Sequence, residues 1–267
     1  MAKIKIDAYN LLRKIRAKKP VVHHLTNWVT IYDCANVVKV LGASPVMAHA
    51  KEEAAEMARI ASALVLNIGT LTVDFVEAMK IASKSANEKG IPVILDVCGA
   101  GATQLRDKKS FELLDEVKVS IIKGNSSEIA RISGENVSTK GVDATKVEKD
   151  MIEIAKKLSR ERRATVVITG KEDIITDSKK VYIVKNGDPM MTHVVGTGCM
   201  ATSVIGTFAA VERELTLAAA AGLVCFGIAA ELAAKDSCGP ATFKEKMFDC
   251  LFNLDKKTIS KMQRVER

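Results

Sequence analysis

Residues 63–101 read ALVLNIGTLTVDFVEAMKIASKSANEKGIPVILDVCGAG, and this stretch decides the fold. Two short apolar runs, 63–68 and 91–96, flank a segment whose apolar residues recur at helical spacing over 72–89, with Gly90 and Pro92 as punctuation. Runs that are apolar throughout, without alternation, suit strands covered by helices on both faces. Each run also ends in polar and small residues: Asn67-Ile68-Gly69-Thr70 after the first, and Asp96 followed by Gly99-Ala100-Gly101 after the second.

The same rhythm continues outward. Downstream, a short helix should follow Gly101. The pattern then predicts a strand over 119–123, helices over 126–133 and 144–162, and a strand over 164–169 that stops at Gly170. Upstream, 7–19 reads as an amphipathic helix with Leu11, Leu12 and Ile15 on one face, ended by Pro20. Residues 21–25 form a short strand, and Thr26 or Asn27 is the expected cap of a helix running to about Leu41 and stopped by Gly42. Segments 173–177 and 180–184 resemble a hairpin around Ser178-Lys179, and the chain after Gly198 reads as helical to its end. Alternating strands and helices argue for a mostly parallel sheet, here with an antiparallel edge. With no linker, repeat or low-complexity segment in the sequence, residues 1–267 are expected to form one domain.

Composition agrees. The chain has 267 residues, 48% hydrophobic but only 4% aromatic, so the core must be aliphatic. The net charge of +8 raises a nucleic-acid reading, but many basic residues crowd the two ends and no stripe of basic and aromatic residues is present. A solvated surface that attracts anionic ligands is the better account, with no nucleic-acid partner. The six cysteines form no CxxC pair and no histidine cluster supplies metal spacing, which points to free thiols in a reducing, cytoplasmic setting. The N-terminus has no apolar signal core. The uncharged, Ala- and Gly-rich run 215–230 falls short of the roughly 18–20 residues of a membrane span and reads as a buried helix, so no membrane partner is expected.

In open α/β sheets ligands sit at the carboxyl ends of the strands. Five polar or glycine-rich segments fall there: 67–70, 96–101, Lys123-Gly124-Asn125, Thr169-Gly170 and Gly196-Thr197-Gly198-Cys199. The last precedes a helix expected to start near Met200, where converging backbone N–H groups would hold an anion. With Ala201 it also fits GxGxxA. A dinucleotide fingerprint belongs in the first strand–helix–strand unit, however, and no GxxxxGK[ST] loop occurs. A thiol at a helix N-terminus has a lowered pKa, so Cys199 could serve as base, nucleophile or redox sensor, or could simply be a small helix-start residue. Asp96 could hold Mg²⁺ through water. Glu128 could be a second metal carboxylate or an acid complementing a helix dipole. Lys123 could bind phosphate as a point charge. His23 and His24 are adjacent, so a strand turns them to opposite faces, and His49 and His193 are isolated; all four read as core or surface residues.

The segments together resemble one family. VHHLTN at 22–27 resembles VHxITN, and LGASPVMA stands at 41–48. NIGTL stands at 67–71, DVCGAGA at 96–102 resembles DPVGAGA, KGNSSE at 123–128 resembles RGNxSE, and GTGC closes the series at 196–199. By this resemblance the chain is identified as a member of the hydroxyethylthiazole kinases of the ribokinase superfamily. That implies a three-layer α/β/α fold with a mostly parallel sheet and helices on both faces. It implies transfer of the ATP γ-phosphoryl to the hydroxyl of 4-methyl-5-(2-hydroxyethyl)thiazole in thiamine salvage. It further implies that Asn27, Val29, Met47 and Gly196 line the thiazole pocket, that Lys123, Thr169 and Gly198 face the ATP phosphates, and that Asp96 and Glu128 serve Mg²⁺. Cys199 would stand where most superfamily relatives carry an Asp base. A homotrimer with thiazole sites between subunits is implied as well.

Four positions depart from the family pattern: Val97-Cys98 replaces Pro-Val, Lys123 replaces Arg, and His49 stands where Asp is usual. The loss of Arg removes a bidentate grip on phosphate. Competing readings are a hydroxymethylpyrimidine kinase or other small-alcohol kinase of the same fold, a thiol hydrolase with Cys199 as nucleophile and His193 as base, and a non-catalytic ligand-binding relative.

Overall fold

The computed structural model describes residues 2–135 and 151–267. In chain order the elements are β1 (Lys3–Ile4), α1 (Ala8–Lys18), β2 (Val21–Leu25), α2 (Ile31–Val40), β3 (Ser44–Val46), α3 (Lys51–Ile60), β4 (Ala63–Asn67), α4 (Val73–Lys89), β5 (Val93–Asp96), α5 (Gln104–Glu116), β6 (Ile121–Asn125) and α6 (Ser126–Ile132). After residue 150 come α7 (Met151–Arg162), β7 (Thr165–Thr169), β8 (Asp173–Thr176), β9 (Val181–Val184), a 3₁₀ turn (Pro189–His193), α8 (Thr197–Ala209), α9 (Leu215–Lys235), α10 (Pro240–Phe252), α11 (Lys256–Met262) and β10 (Val265–Glu266). The first part of the helix expected over 144–162 lies outside the described residues.

Among the described residues ten strands join one sheet in the order β1-β10-β9-β8-β7-β6-β5-β4-β2-β3. Neighbours from β3 to β7 are parallel, and β7 to β1 are antiparallel, as the hairpin reading required. Helices cover both faces, and the architecture is three-layered. The strand period of two assigns each residue to a face. Ala63, Val65, Ile94, Ile121 and Val167 pack with α1, α2, α8, α9, α10 and α11. Leu64, Leu66, Val93, Leu95, Ile122, Val166 and Ile168 pack with α3 to α7. Continuing that parity to the strand ends turns Asn67, Asp96, Lys123 and Thr169 to the α8 side.

Several local expectations change. The second helix starts at Ile31, not beside Thr26 or Asn27. Asn27 instead accepts the backbone N–H of Thr30 at 3.1 Å, closing a turn ahead of the helix. The helix after Gly101 has 13 residues. The helix expected near Met200 starts at Thr197, with Gly196 as its cap residue at φ 91°, so the GTGC segment is largely the first turn of α8. The chain end is not helical: Val265–Glu266 pairs with both β9 and β1, a register too short to leave a periodic signal. The apolar run near 215–230 belongs to the 21-residue α9, long and apolar enough by length and composition to cross a membrane. Of its apolar window 78% is buried, packed into the core.

Candidate active site

Register puts the site together. Asn67 pairs with Asp96 across β4–β5, Asp96 with Lys123 across β5–β6, and Asn125 with Thr169 across β6–β7. Three of the five predicted segments thus stand side by side at one sheet edge, with Thr169 one strand further out.

Asp96 is the hub. Its Oδ2 accepts hydrogen bonds from Asn67 Nδ2 at 3.0 Å, Thr202 Oγ1 at 2.6 Å and Lys123 Nζ at 3.3 Å. Asp96 and Lys123 are 1% and 4% exposed, so this is a buried ion pair. Burial works against the Lys123 charge, but Asp96 and then Glu128 outweigh it and hold its pKa above the usual lysine value. A Cβ on Gly198 would sit 3.3 Å from Lys123 Nζ, so the glycine lets the ammonium lie against the first turn of α8. Gly196 is needed twice: its φ is left-handed, and a Cβ there would lie 2.3 Å from Thr30 Cγ2.

Cys199, in the first turn of α8, receives N–H groups on its sulfur from Asn27 Nδ2 at 3.1 Å and Asn67 Nδ2 at 3.4 Å. The Cys98 thiol is a further partner, and its hydrogen bond, resisted by burial, lowers the Cys199 pKa to about 6. The same bond, with burial added, pushes Cys98 well above the usual thiol value. Asn67 therefore divides one amide between the Asp96 carboxylate and the Cys199 sulfur. Its Oδ1 accepts from Asn27 Nδ2 at 3.1 Å and from the Gly69 N–H at 2.8 Å.

Glu128 is held differently. Its Oε1 accepts the Gly99 N–H and its Oε2 the Asn125 N–H, each at 2.7 Å, while Asn125 Oδ1 accepts the Glu128 N–H. This is a capping box at the start of α6, so the dipole-complementing reading of Glu128 has a structural basis. Burial pushes its carboxyl up to about 7 and nearby Asp96 adds to the rise. Asp173 at the start of β8 accepts the Gly170 N–H at 3.1 Å and burial likewise raises it to about 7.

Among the described residues no group of three or more His, Cys, Asp or Glu could enclose a metal ion. Mg²⁺ needs no such cage, since it keeps water and phosphate oxygens and takes one or two carboxylates. The Asp96–Glu128 pair suits it: both supply hard oxygen, and Asp96 raises the Glu128 pKa, a repulsion that a cation between them would relieve.

Asn27 is buried against Cys199, whereas Val29, in the turn before α2, is 69% exposed. Met47 follows β3, and its carbonyl accepts the His49 Nδ1–H at 3.1 Å. Trp28 stacks on Phe75, with ring centroids 5.9 Å apart, and meets His49 edge-on. Thr169 Oγ1 donates to the Gly124 carbonyl at 3.5 Å. His193 is exposed in the 3₁₀ turn and lines a shallow cavity with Pro240, Thr242 and Lys244; it is not among the partners of Cys199, so the thiol-hydrolase reading loses its base. His23 and His24 do face opposite ways, toward the Ala48 carbonyl and Ser203 respectively. Thr202 and Thr30 were not singled out from sequence. Thr202 lies four residues beyond Gly198, hence on the same helix face, and that spacing could have found it.

Comparison with known proteins follows the same lines. The model of the Hydroxyethylthiazole kinase family matches residues 12–257. A hydroxyethylthiazole kinase of Methanosarcina mazei is 51% identical, covering 96% of this chain and 98% of its own. One from Thermoanaerobacter pseudethanolicus is 50% identical at the same coverage. The solved hydroxyethylthiazole kinase structure from Pyrococcus horikoshii superposes with a TM-score of 0.90 at 38% identity, covering 97% of this chain and 98% of that one. A ribokinase-like superfamily protein from Enterococcus faecalis, at 13% identity and a TM-score of 0.65, shares the fold.

Proposed function

Since the chain belongs to the hydroxyethylthiazole kinase family, we propose that it transfers the γ-phosphoryl group of ATP to the hydroxyl of 4-methyl-5-(2-hydroxyethyl)thiazole, a step of thiamine salvage. The observation that carries this reading is the meeting of Asp96, Lys123 and Cys199 at the glycine-lined start of α8.

Phosphoryl transfer asks a protein for positioning and charge neutralisation more than for covalent chemistry. Lys123 and the backbone N–H groups of Gly198 and its neighbours would hold the phosphates, and Thr169 would face them from the next strand. Mg²⁺, held by Asp96 and Glu128, would neutralise nucleotide charge. Asn27, Val29, Met47 and Gly196 would line the acceptor pocket. Cys199, already receiving hydrogen bonds on its sulfur, would accept one from the acceptor hydroxyl and take its proton as the P–O bond forms. A homotrimer with acceptor pockets between subunits is part of the proposal. Val29, Tyr32 and Val195 flank the site with 69%, 76% and 73% of their surfaces exposed, and such apolar exposure suits a subunit contact. A cytoplasmic location accords with the six free thiols.

The test is ADP release from the purified protein with ATP and Mg²⁺, offered the thiazole alcohol, a hydroxymethylpyrimidine or no acceptor. Acceleration by the thiazole is expected. Acceleration by the pyrimidine alone would move the chain to the sister activity, and none with either would leave it a non-catalytic relative.

A further inference from the structure

Three loops, at the carboxyl ends of β2, β3 and β4, meet on one residue. Trp28, the single tryptophan of the sequence, stands in the loop after β2, between Asn27 and Val29. Its backbone N–H donates to Thr70 Oγ1 at 3.0 Å, in the loop after β4. Its ring stacks on Phe75 in the first turn of α4, with centroids 5.9 Å and planes 29° apart. The ring of His49, in the loop after β3, meets it edge-on, at 4.5 Å and 88°. Offset-stacked and edge-to-face arrangements are the ones in which aromatic rings attract. Two of these partners are firmly held. Phe75 is 7% exposed and belongs to the core. The loop after β4 is fixed by Arg106 of α5, which donates to the carbonyls of Ile68 at 3.0 Å and Gly69 at 2.7 Å. His49 in turn donates its Nδ1–H to the Met47 carbonyl at 3.1 Å. Trp28 thus ties the loop of Met47, through His49, to an anchored part of the rim.

We propose that Trp28 is a positioning residue for the acceptor: it clamps the loops bearing Asn27, Val29 and Met47 and so sets the affinity for a flat heterocyclic alcohol. That these loops form the acceptor pocket rests on the kinase reading above. A loop already held in place need not be ordered at the moment of binding, so the ligand keeps more of its interaction energy. The residues assigned to the nucleotide, Lys123, Thr169 and Gly198, lie on β6, β7 and α8. The three contacts of Trp28 go to other elements, the loops after β3 and β4 and the start of α4. Loss of the clamp should therefore weaken one substrate and spare the other. His49 acquires a use by the same geometry: its ring supplies the edge that Trp28 meets, which an aspartate in that place would lack.

Isothermal titration calorimetry of the full-length protein, with the thiazole alcohol and separately with ADP and Mg²⁺, tests the clamp without reference to turnover. Trp28→Ala should weaken the thiazole alcohol about tenfold, the scale of two lost aromatic pairs, and leave ADP affinity unchanged. Trp28→Phe keeps a ring and should recover most of that loss, while His49→Ala should show a smaller loss in the same direction. In turnover, the KM for the thiazole alcohol should rise in Trp28→Ala with kcat unchanged. Parent-like thiazole affinity in Trp28→Ala, an equal loss for ADP, or a Trp28→Phe as weak as Trp28→Ala would each overturn the proposal. As the sole indole, Trp28 also supplies a spectroscopic signature: the thiazole alcohol should change its fluorescence along the calorimetric curve, and ADP should not. An emission indifferent to the thiazole alcohol would set Trp28 apart from the pocket and overturn the proposal as well. Thiazole binding that depends on Trp28, in a protein that never releases ADP, would leave the clamp standing and remove the kinase reading. Turnover of the thiazole alcohol with a parent-like KM in Trp28→Ala would do the reverse, and a parent that binds ADP but no thiazole alcohol would remove both.

Discussion

Asp96 and Glu128 are both buried, both carboxylates, and neighbours at one sheet edge, yet they are held by opposite kinds of partner. Asp96 rests on side chains from three separate elements, Asn67 on β4, Lys123 on β6 and Thr202 on α8. Glu128 rests on two backbone N–H groups, those of Gly99 and Asn125. Side-chain donors can turn toward an arriving phosphate, but backbone donors stay where the fold puts them. The contrast teaches that a site carboxylate and a scaffold carboxylate can share a location. In the proposed reaction Asp96 would serve the chemistry first, whereas Glu128 already holds the Gly99 and Asn125 backbone around it.

The largest expected effect breaks the pair apart. Asp96→Asn keeps the shape but removes the charge that faces Lys123 and any bound cation. Loss of a preorganised charge at the site of phosphoryl transfer should lower kcat about a thousandfold, ~4 kcal/mol. The check is ADP release with the thiazole alcohol, alongside circular dichroism to show an intact fold. Turnover within about tenfold of the parent would mean that Asp96 is not the reacting-side carboxylate.

Glu128→Gln should show the opposite split. A glutamine can offer its carbonyl oxygen to one backbone N–H but must set its own NH₂ against the other. A buried N–H left without an acceptor costs roughly 1–3 kcal/mol. Urea unfolding at pH 8 should register that loss, with kcat falling less than in Asp96→Asn. A variant as stable as the parent but as slow as Asp96→Asn would make Glu128 a direct participant and erase the contrast.

The sequence disclosed this site unevenly, for physical reasons. Parity along the strands was readable, so the shared direction of Asn67, Asp96 and Lys123 follows from the same period that sorts Ile94 and Leu95 into opposite cores. The glycines of GTGC were readable as a helix entry, though not that α8 begins three residues before Met200. The split role of Glu128 was not readable, because a capping box and a metal carboxylate ask for the same residue at the same helix position. The three-way junction on Asp96 needed Thr202, 106 residues away, and no local pattern carries a contact of that separation. The pairing of Val265–Glu266 with the sheet was hidden for a related reason: two residues cannot display alternation.

The smallest expected effect sharpens the comparison with a third buried group on the same face of the sheet. His24 has only neutral partners: its Nδ1–H donates to the Val22 carbonyl at 3.0 Å, and its Nε2 accepts from Ser203 at 3.1 Å. Lys123, equally enclosed, keeps a raised pKa because carboxylates stand beside it, whereas burial lowers His24 from 6.5 to about 4. The sign follows from proton counting. Between pH 4 and 6.5 the unfolded chain holds the His24 proton and the folded one does not, so stability rises with pH there and falls as the solution is acidified. The contribution is fully present above the unfolded value and erodes by up to about 1.4 kcal/mol per pH unit below it. Urea unfolding at pH 7.0 and 5.5 should show the parent losing about 1 kcal/mol more than His24→Gln, which has no proton to gain. Equal losses in the two proteins would mean that His24 takes up its proton inside the fold, and burial without a counter-charge would then not be what separates it from Lys123.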